Sequence, residues 1–380
     1  MNDRQYPQFS LEEVSRRWTG LRRLMKDAQV EAAVVRGTGA FSREIYYLTD
    51  WPGGREGYLF FPTKGDPALL VQLFNHVPMA RRVARIPDTR FAGSRSHERM
   101  ADLCRNVRGR IGLIGTIPYQ HMAYWRAQLP AVEWIDLGEA FREMLALKSG
   151  EELERIRTAC ALTDASMERL EAGLKPGLRE WELPALIEPA YLERGGQAGI
   201  HYVASMAMRA PDICVPSQYP SMRMISGGDI VITEISGAFW GYSGQVHRSY
   251  FMGEPPTADW RRLHDVAVEA YLRIEAVIKD GATVGDVLDA AEFIHEKGYS
   301  IYDDLVHGLN QLPPIVRTRR TGNRAIEDFV FRENMVVVIQ PNVITPDERM
   351  GLQFGEAVRV TRTGAERLHR YRREPIVCGG

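Results

Sequence analysis

The side chains best suited to chemistry lie in a strongly apolar segment, residues 229–252, with the sequence DIVITEISGAFWGYSGQVHRSYFM. Glu234 interrupts the first of its two apolar runs. In the second run, Gln245, His247 and Ser249 alternate with other residues, and this period of two places them on one face of a strand. Polar side chains in so apolar a segment line either a solvated face or a pocket.

The turn-like sequence FWGYSG separates the two runs, so the segment predicts a β-hairpin. This hairpin resembles the metal-binding hairpin of the creatinase/aminopeptidase family, whose catalytic domain has the pita-bread fold. The family pattern begins with Gly-Asp and a β-branched run, continues with an acid, and has a second acid eleven residues later. Gly228, Asp229 and Glu234 match this pattern, and Gln245 stands at the position of the second acid.

The resemblance implies where a metal centre would lie, because metallopeptidases of this family hold two divalent ions with two Asp, one His and two Glu. The first Asp position falls on Glu234 and the second on Gln245. The His of a His-Gly pair falls on His307, and the Glu of a Glu-Pro pair falls on Gln340. The last Glu position falls on Gly355, so only one of the four carboxylates remains.

Glu356, the neighbour of Gly355, would point to the other face of a regular strand, and only a bulge would turn it toward the site. Two divalent ions need strong compensation, and amide oxygens are weak ligands for cations that prefer carboxylates. We therefore expect no dinuclear metal centre and no cofactor. A single weakly held ion between Glu234 and His307 is the alternative.

The creatinase branch of the family works without a metal, which makes it the nearer chemical precedent. Its proton-shuttling His, twelve residues before the Asp of the hairpin, falls on Ser217. Its cation-binding acids fall on His247 and Gln340. The resemblance therefore argues against creatine or another guanidinium compound as the substrate.

His307 and His247 are the two groups of the presumed pocket that are expected to titrate near neutrality. We predict that they act as general acid and base, in either order, with Glu234 orienting an imidazole. The predicted substrate-binding residues share a polar group that can contact an amide, a carboxylate or an oxyanion, and they are Gln245, Gln340, Ser217 and Glu356. This set fits hydrolysis of a C–N bond, and an elimination or a decarboxylation fits it nearly as well.

The elements that carry these residues predict an α/β (α+β) protein of two domains: an N-terminal creatinase-like domain over residues 1–147 and a C-terminal pita-bread domain over residues 148–380. Capping boxes that begin at Ser10 and Ser149 predict the first helix of each domain. In the N-terminal domain, short apolar runs predict strands, one of them at residues 45–50, in a mostly parallel or mixed sheet.

The composition limits the partners of the chain. Its 380 residues are 44% hydrophobic and 26% charged, and the formal net charge of −1 does not favour a nucleic-acid partner. No apolar run approaches the roughly 20 residues that span a bilayer, and no apolar core of a signal peptide is present. The four cysteines form no C-x-x-C pair. We predict a soluble, cytoplasmic protein without nucleic-acid or membrane partners.

These observations predict a metal-independent enzyme that acts on a small amino-acid-like molecule by C–N bond hydrolysis. Two alternatives stay open: a non-catalytic pita-bread protein that binds a peptide or protein, and an Xaa-Pro-type metallopeptidase with an altered metal site. The resemblance also implies a homodimer, because in creatinases the N-terminal domain of one subunit walls the pocket of its partner.

Overall fold

The computed structural model describes residues 5–321 and 327–379, and the chain divides into two compact units, Met1–Leu145 and Ala146–Gly380. The N-terminal unit has a six-stranded sheet made of β1 (Ala32–Gly37), β2 (Gly57–Pro62), β3 (Ala68–Val71), β4 (Asp88–Phe91), β5 (Arg110–Ile114) and β6 (Glu133–Asp136). Its helices are α1 (Leu11–Asp27), α2 (Arg43–Thr49), α3 (Val77–Val83), α4 (Ser96–Cys104), α5 (Tyr119–Gln128) and α6 (Gly138–Ala146). The strand order β4-β3-β2-β1-β5-β6 combines parallel and antiparallel pairs, which confirms the predicted mixed sheet.

Local sequence explains one correct and one wrong prediction in this unit. Helix α1 begins as predicted, because the Ser10 side chain accepts a hydrogen bond from the backbone N–H of Glu13. The predicted strand at residues 45–50 is wrong: these residues belong to α2, and Asp50 ends that helix with a left-handed φ of 60°. A short, wholly buried apolar run has no polar face, so its period cannot separate helix from strand.

The C-terminal unit combines one large sheet with four long helices. Its helices are α7 (Gly150–Gly173), α8 (Leu183–Leu192), α9 (Ala258–Val277) and α10 (Val284–Glu296). Its strands are β7 (Gln197–Ala207), β8 (Asp229–Phe239), β9 (Tyr242–Ser243), β10 (Val246–Met252), β11 (Ser300–Ile301), β12 (Val306–Gly308), β13 (Leu312–Val316), β14 (Val336–Ile339), β15 (Val343–Ile344), β16 (Gly355–Val360), β17 (Ala365–Arg367) and β18 (Ile376–Cys378). The main path of the sheet runs β13-β12-β14-β16-β10-β8-β7.

The predicted hairpin is formed by β8, β9 and β10. Trp240 and Gly241 make its two-residue turn with positive φ values of 44° and 81°, as a turn that matches strand twist requires. Helix α7 begins at the predicted capping box, in which Ser149 and Glu152 each bond the backbone N–H of the other.

One face of the large sheet is covered by helices. Val231, Ile235 and Val246 pack in one apolar cluster with residues of α7 and α8. Ile339 and Val358 pack in another cluster with residues of α9 and α10. Because side chains alternate along a strand, the residues between these positions point to the opposite face. Polar side chains gather on that opposite face.

Candidate functional site

The register of the large sheet brings together side chains that lie far apart in the chain. Glu234 of β8 is directly opposite Tyr202 of β7 on one side and His247 of β10 on the other. His247 is in turn opposite Gly355 of β16. Directly paired residues share a face, and this face is the one opposite to Ile235 and its partners.

Gln340 and His307 extend this row of residues. Gln340 follows β14 and lies against Gly355, since a Cβ added to that glycine would be 2.7 Å from the Gln340 Cα. His307 of β12 has its Nε2 3.1 Å from Oε1 of Gln340. Its Nδ1–H donates to the Gly308 carbonyl oxygen over 2.9 Å, which holds the ring in place.

The carboxamide of Gln245 is the centre of the network. Its Nε2 is 2.9 Å from Oε1 of Glu234, 3.1 Å from Nε2 of His247 and 3.4 Å from Oε1 of Gln340. The structure therefore brings Glu234, Gln245, His247, Gln340 and His307 into one connected set. All five side chains are at least nine-tenths buried.

His247 is held as a neutral ring. Its complete burial lowers its pKa to about 3, although a hydrogen bond with Gln353 favours the charged form. In the neutral tautomer that fits both neighbours, Nδ1–H donates to Oε1 of Gln353 over 3.3 Å and Nε2 accepts from Gln245. The expectation that His247 titrates near neutrality is therefore wrong, because the strand buries it fully between two carboxamides.

Glu234 carries a proton at neutral pH. Burial, and to a smaller extent the negative charge of Asp303, raise its pKa to about 8, and the hydrogen bond from Gln245 offsets only part of this rise. A protonated carboxyl group can donate a hydrogen bond or a proton, which an ionised one cannot. Glu234 is thus suited to act as a general acid.

Asp303, which sequence reasoning missed, lies beside the site. Its Oδ2 accepts a hydrogen bond from Nδ2 of Asn342 at 3.4 Å, and its Oδ1 accepts from the backbone N–H of Asp304 at 2.7 Å. Burial raises its pKa above the ordinary value. A signal was present in the sequence, since Asp303 and Asp304 form an acidic pair four residues before His307.

Two further supports of the site were also missed. Gln353 fixes the His247 ring, as described above, and is 1% exposed. Nε2 of His369 accepts a hydrogen bond from the backbone N–H of Gln245 over 3.3 Å. Its Nδ1–H donates to Oδ1 of Asp164 in α7 over 2.7 Å. No spacing rule connects residues separated by 106 to 205 positions in the chain, so only the fold reveals these contacts.

Glu356 does not reach the pocket. It is paired regularly with Val246, without a bulge, and points to the helix-covered face. There its carboxylate binds Arg248 at 2.6 Å, Arg367 at 2.5 Å and Arg373 at 2.7 Å. Burial alone would raise its pKa, but these arginines outweigh burial and lower it to about 2. The contacts therefore give no support to the substrate-binding role predicted for Glu356.

Ser217 lies one strand away from the network. Its backbone forms a bridge with Val203 of β7, with N···O distances of 3.2 and 3.3 Å. Val203 is paired with Thr233, the neighbour of Glu234. Ser217 is half-buried beyond the outer strand of this side of the sheet, and the structure does not bring it into the connected set.

The residues present do not fit a pair of divalent ions. The amide nitrogen of Gln245 points at Glu234, so a donor stands where the metal would need an acceptor. A side chain at Gly355 would collide with the Ile339 carbonyl oxygen and with Gln340. Across residues 5–321 and 327–379, no group of three or more His, Cys, Asp or Glu side chains could hold a metal ion.

No helix in the described ranges is long and apolar enough to cross a membrane.

The sequence pattern of the metallopeptidase family M24 matches residues 154–362, and that of the creatinase/prolidase N-terminal domain matches residues 17–144. These two matches confirm the predicted fold class, with a creatinase-like domain followed by a pita-bread domain.

Relatives and solved structures agree with this match. A Xaa-Pro dipeptidase of Pyrococcus furiosus is 24% identical over 87% of this chain and 92% of its own length. A methionine aminopeptidase A of Synechocystis is 27% identical over 60% of this chain and 98% of its own length. The prolidase of Pyrococcus horikoshii superposes with a TM-score of 0.82 at 20% identity, covering 95% of this chain and 100% of the prolidase. At that identity the likeness concerns the fold.

Proposed function

The chain belongs to the metallopeptidase family M24, and from this membership we propose that it is a hydrolase that cleaves a C–N bond in a small, amino-acid-like substrate. We further propose that its own side chains carry out the chemistry without a pair of metal ions. The supporting observation is one network in which a protonated carboxyl group, two carboxamides and an imidazole meet, formed by Glu234, Gln245, Gln340 and His307.

Each group has a role in this proposal. His307 keeps a proton on Nδ1, so a water that takes the place of Oε1 of Gln340 beside Nε2 gives its proton to this nitrogen as the water oxygen bonds to the substrate carbonyl carbon. The carboxamide of Gln340 donates to the carbonyl oxygen as it becomes negative. The two N–H groups of the Gln245 carboxamide bond Glu234 and His247, so Gln245 holds those side chains in position. Glu234 gives its proton to the leaving nitrogen as the C–N bond breaks. The proton on His307 then returns to Glu234, and the products are a carboxylic acid and an amine.

The test supplies the purified protein with Xaa-Pro dipeptides and small N-acyl amino acids in the presence of a chelator, and measures the amine released. We expect cleavage by the native chain, loss of cleavage in His307→Asn, and full activity in His295→Asn. His295 is a matched control because it lies in α10 and bonds Tyr299 and Thr318 outside the network. Cleavage that requires added Mn²⁺ or Co²⁺ contradicts the metal-independent part.

A second candidate, a metal-dependent Xaa-Pro dipeptidase, is favoured by the names of relatives that align with 87% of the chain. The same assay separates it from the first, because it would act on Xaa-Pro dipeptides only when metal is added. An elimination or a decarboxylation is separated by its products, since only hydrolysis releases acid and amine in equal amounts. Binding of peptides without any turnover would instead support a non-catalytic protein.

The homodimer and the cytoplasmic location stay predictions. Light scattering of the purified chain measures the first, and cell fractionation measures the second.

A further inference from the structure

Asp303 differs from its neighbour Asp304 in one respect. Asp304 forms an ion pair with Arg317 at 3.3 Å. Among the residues that the structure describes, Asp303 receives hydrogen bonds from Asp304 and Asn342 but forms no ion pair with a Lys or Arg. A positive charge on His307 would favour the ionised form of Asp303. It is half-buried, so water only partly compensates its charge.

The backbone on both sides places Asp303 next to the network. Ile301 pairs with Val343 in the small sheet formed by β11 and β15. The carbonyl oxygen of Leu305 accepts from the backbone N–H of Gln340 at 2.9 Å. Asp303 is therefore held between these two contacts, beside the segment that carries Gln340.

The charge of Asp303 acts on the pocket face of β7 and β8. It is one of the charges that raise the pKa of Glu234, and together with burial, Glu234 and Tyr219 it also raises the pKa of Tyr202. Tyr202 is half-buried, so one phenol ring stands near an anion that forms no ion pair with a Lys or Arg among the described residues. Anions and aromatic faces both attract ammonium groups.

We propose that Asp303 binds the protonated amino group of the substrate, so that the substrate is a small amide carrying a primary or secondary ammonium group. This inference rests on the proposed function, because it names the substrate class of the same site. The sequence argues against a guanidinium substrate, because His247 and Gln340 stand where the creatinase branch has cation-binding acids. Asp303, in the turn before β12, supplies a negative charge that those two residues lack.

The experiment compares two probes of nearly equal shape, alaninamide, which carries an ammonium group, and lactamide, in which a neutral hydroxyl group replaces it. Calorimetry measures their binding to the native chain, to Asp303→Asn and to the matched control Asp304→Asn. We expect the native chain and Asp304→Asn to prefer alaninamide, and Asp303→Asn to bind it roughly tenfold or more weakly, because a hydrogen bond to a charged group is lost. Binding of lactamide to Asp303→Asn should change less than about threefold.

Equal binding of the two probes to the native chain, including no binding of either, overturns the proposal, as does an unchanged preference in Asp303→Asn. Far-ultraviolet circular dichroism and a melting curve show whether each variant is folded, and Asp303→Glu, which keeps the charge, should retain part of the preference if Asp303→Asn fails to fold. The readout is binding, so it is independent of turnover. Absence of C–N cleavage would contradict the proposed function while leaving this comparison of probes in force.

Discussion

Two buried glutamates of the C-terminal unit, Glu234 and Glu356, lie on opposite faces of the same sheet and differ in charge. Glu234 is 7% exposed and Glu356 is 1% exposed, so burial by itself would raise the pKa of both. The pKa of Glu234 is raised to about 8, whereas that of Glu356 is lowered to about 2. Burial therefore does not fix the state of a carboxyl group, and its nearest partners decide it.

The two carboxyl groups therefore differ in what they can do: one is held in ion pairs, and the other can donate a proton. Glu356 stays ionised because Arg248, Arg367 and Arg373 surround it, and all of its bonding capacity is used by them. Within the part of the chain that the structure describes, Glu234 has a single carboxamide, that of Gln245, as its hydrogen-bond partner, and it keeps a proton that it can give away. Perturbed acids of the second kind are typical of functional sites.

The largest effect is expected on stability when Glu356 is changed. Glu356→Gln leaves three arginines without their common anion, so we expect the free energy of unfolding to fall by about 3–5 kcal/mol. Urea unfolding followed by circular dichroism measures it. The control is Glu366→Gln, because Glu366 is 38% exposed and its ion pairs with Arg157 and Arg359 are worth at most about 1 kcal/mol each. Equal losses in the two variants would contradict the structural role of Glu356.

Glu234→Gln is expected to reduce activity strongly and to change stability little. It replaces a neutral acid by a neutral amide of the same shape, so stability should change by less than about 1 kcal/mol near pH 5. Amine release should fall about a hundredfold, because the general acid is lost. The control is Glu254→Gln, which removes an exposed ion pair with Arg209. Full activity in Glu234→Gln would remove this residue from the mechanism.

The pH dependence of stability should have opposite signs for the two residues. For Glu356, whose pKa falls from 4.5 to about 2 on folding, stabilisation is present above pH 4.5 and is lost as the pH falls toward 2. For Glu234, the folded chain holds a proton that the unfolded chain releases, so stability falls as the pH rises from 4.5 to about 8.

Urea unfolding across this range measures both slopes. Relative to the native chain, Glu234→Gln should become steadily more stable between about pH 5 and 8, and Glu356→Gln should lose its relative disadvantage below about pH 4. If the free energies of unfolding of the native chain and of Glu234→Gln changed in parallel between about pH 5 and 8, Glu234 would already be ionised at about pH 5.

Added metal is expected to have the smallest effect. A bound ion at a hundredfold excess over its Kd would stabilise the chain by about 2.7 kcal/mol, and we expect less than about 0.5 kcal/mol with Mn²⁺ or Zn²⁺. Melting curves of chelator-treated protein with and without each ion measure the shift. A rise of several degrees that Gln340→Ala abolishes would show that the pocket binds metal after all.

Much of the fold could be predicted because its signals are local. The capping boxes at Ser10 and Ser149 predict helices that the structure confirms, and the period of two in the hairpin predicts which polar residues share a face. The apolar run at residues 45–50 predicts a strand where the structure has helix α2, because a run so short and wholly buried does not distinguish the two.

The electrostatics of the site could not be predicted from the sequence. The low pKa of His247 depends on full burial and on Gln353, which lies 106 positions away. The alternation along β16 correctly indicates that Glu356 points away from the site, but the three arginines that it meets come from other segments. Asp303 belongs to no periodic pattern, and only the backbone pairing around it brings it beside Gln340.

Gly355 leaves no room for a side chain at the position where the family has its last metal-binding Glu. The first carbon of any side chain there would overlap the Ile339 carbonyl oxygen and approach the Gln340 Cα to 2.7 Å, so the adjoining strand would have to shift before an acid could be tolerated. A variant with acids at positions 245 and 340 alone would still lack a metal ligand at position 355. Any variant with an acid at position 355 would therefore also need a substitution that moves β14 away from β16.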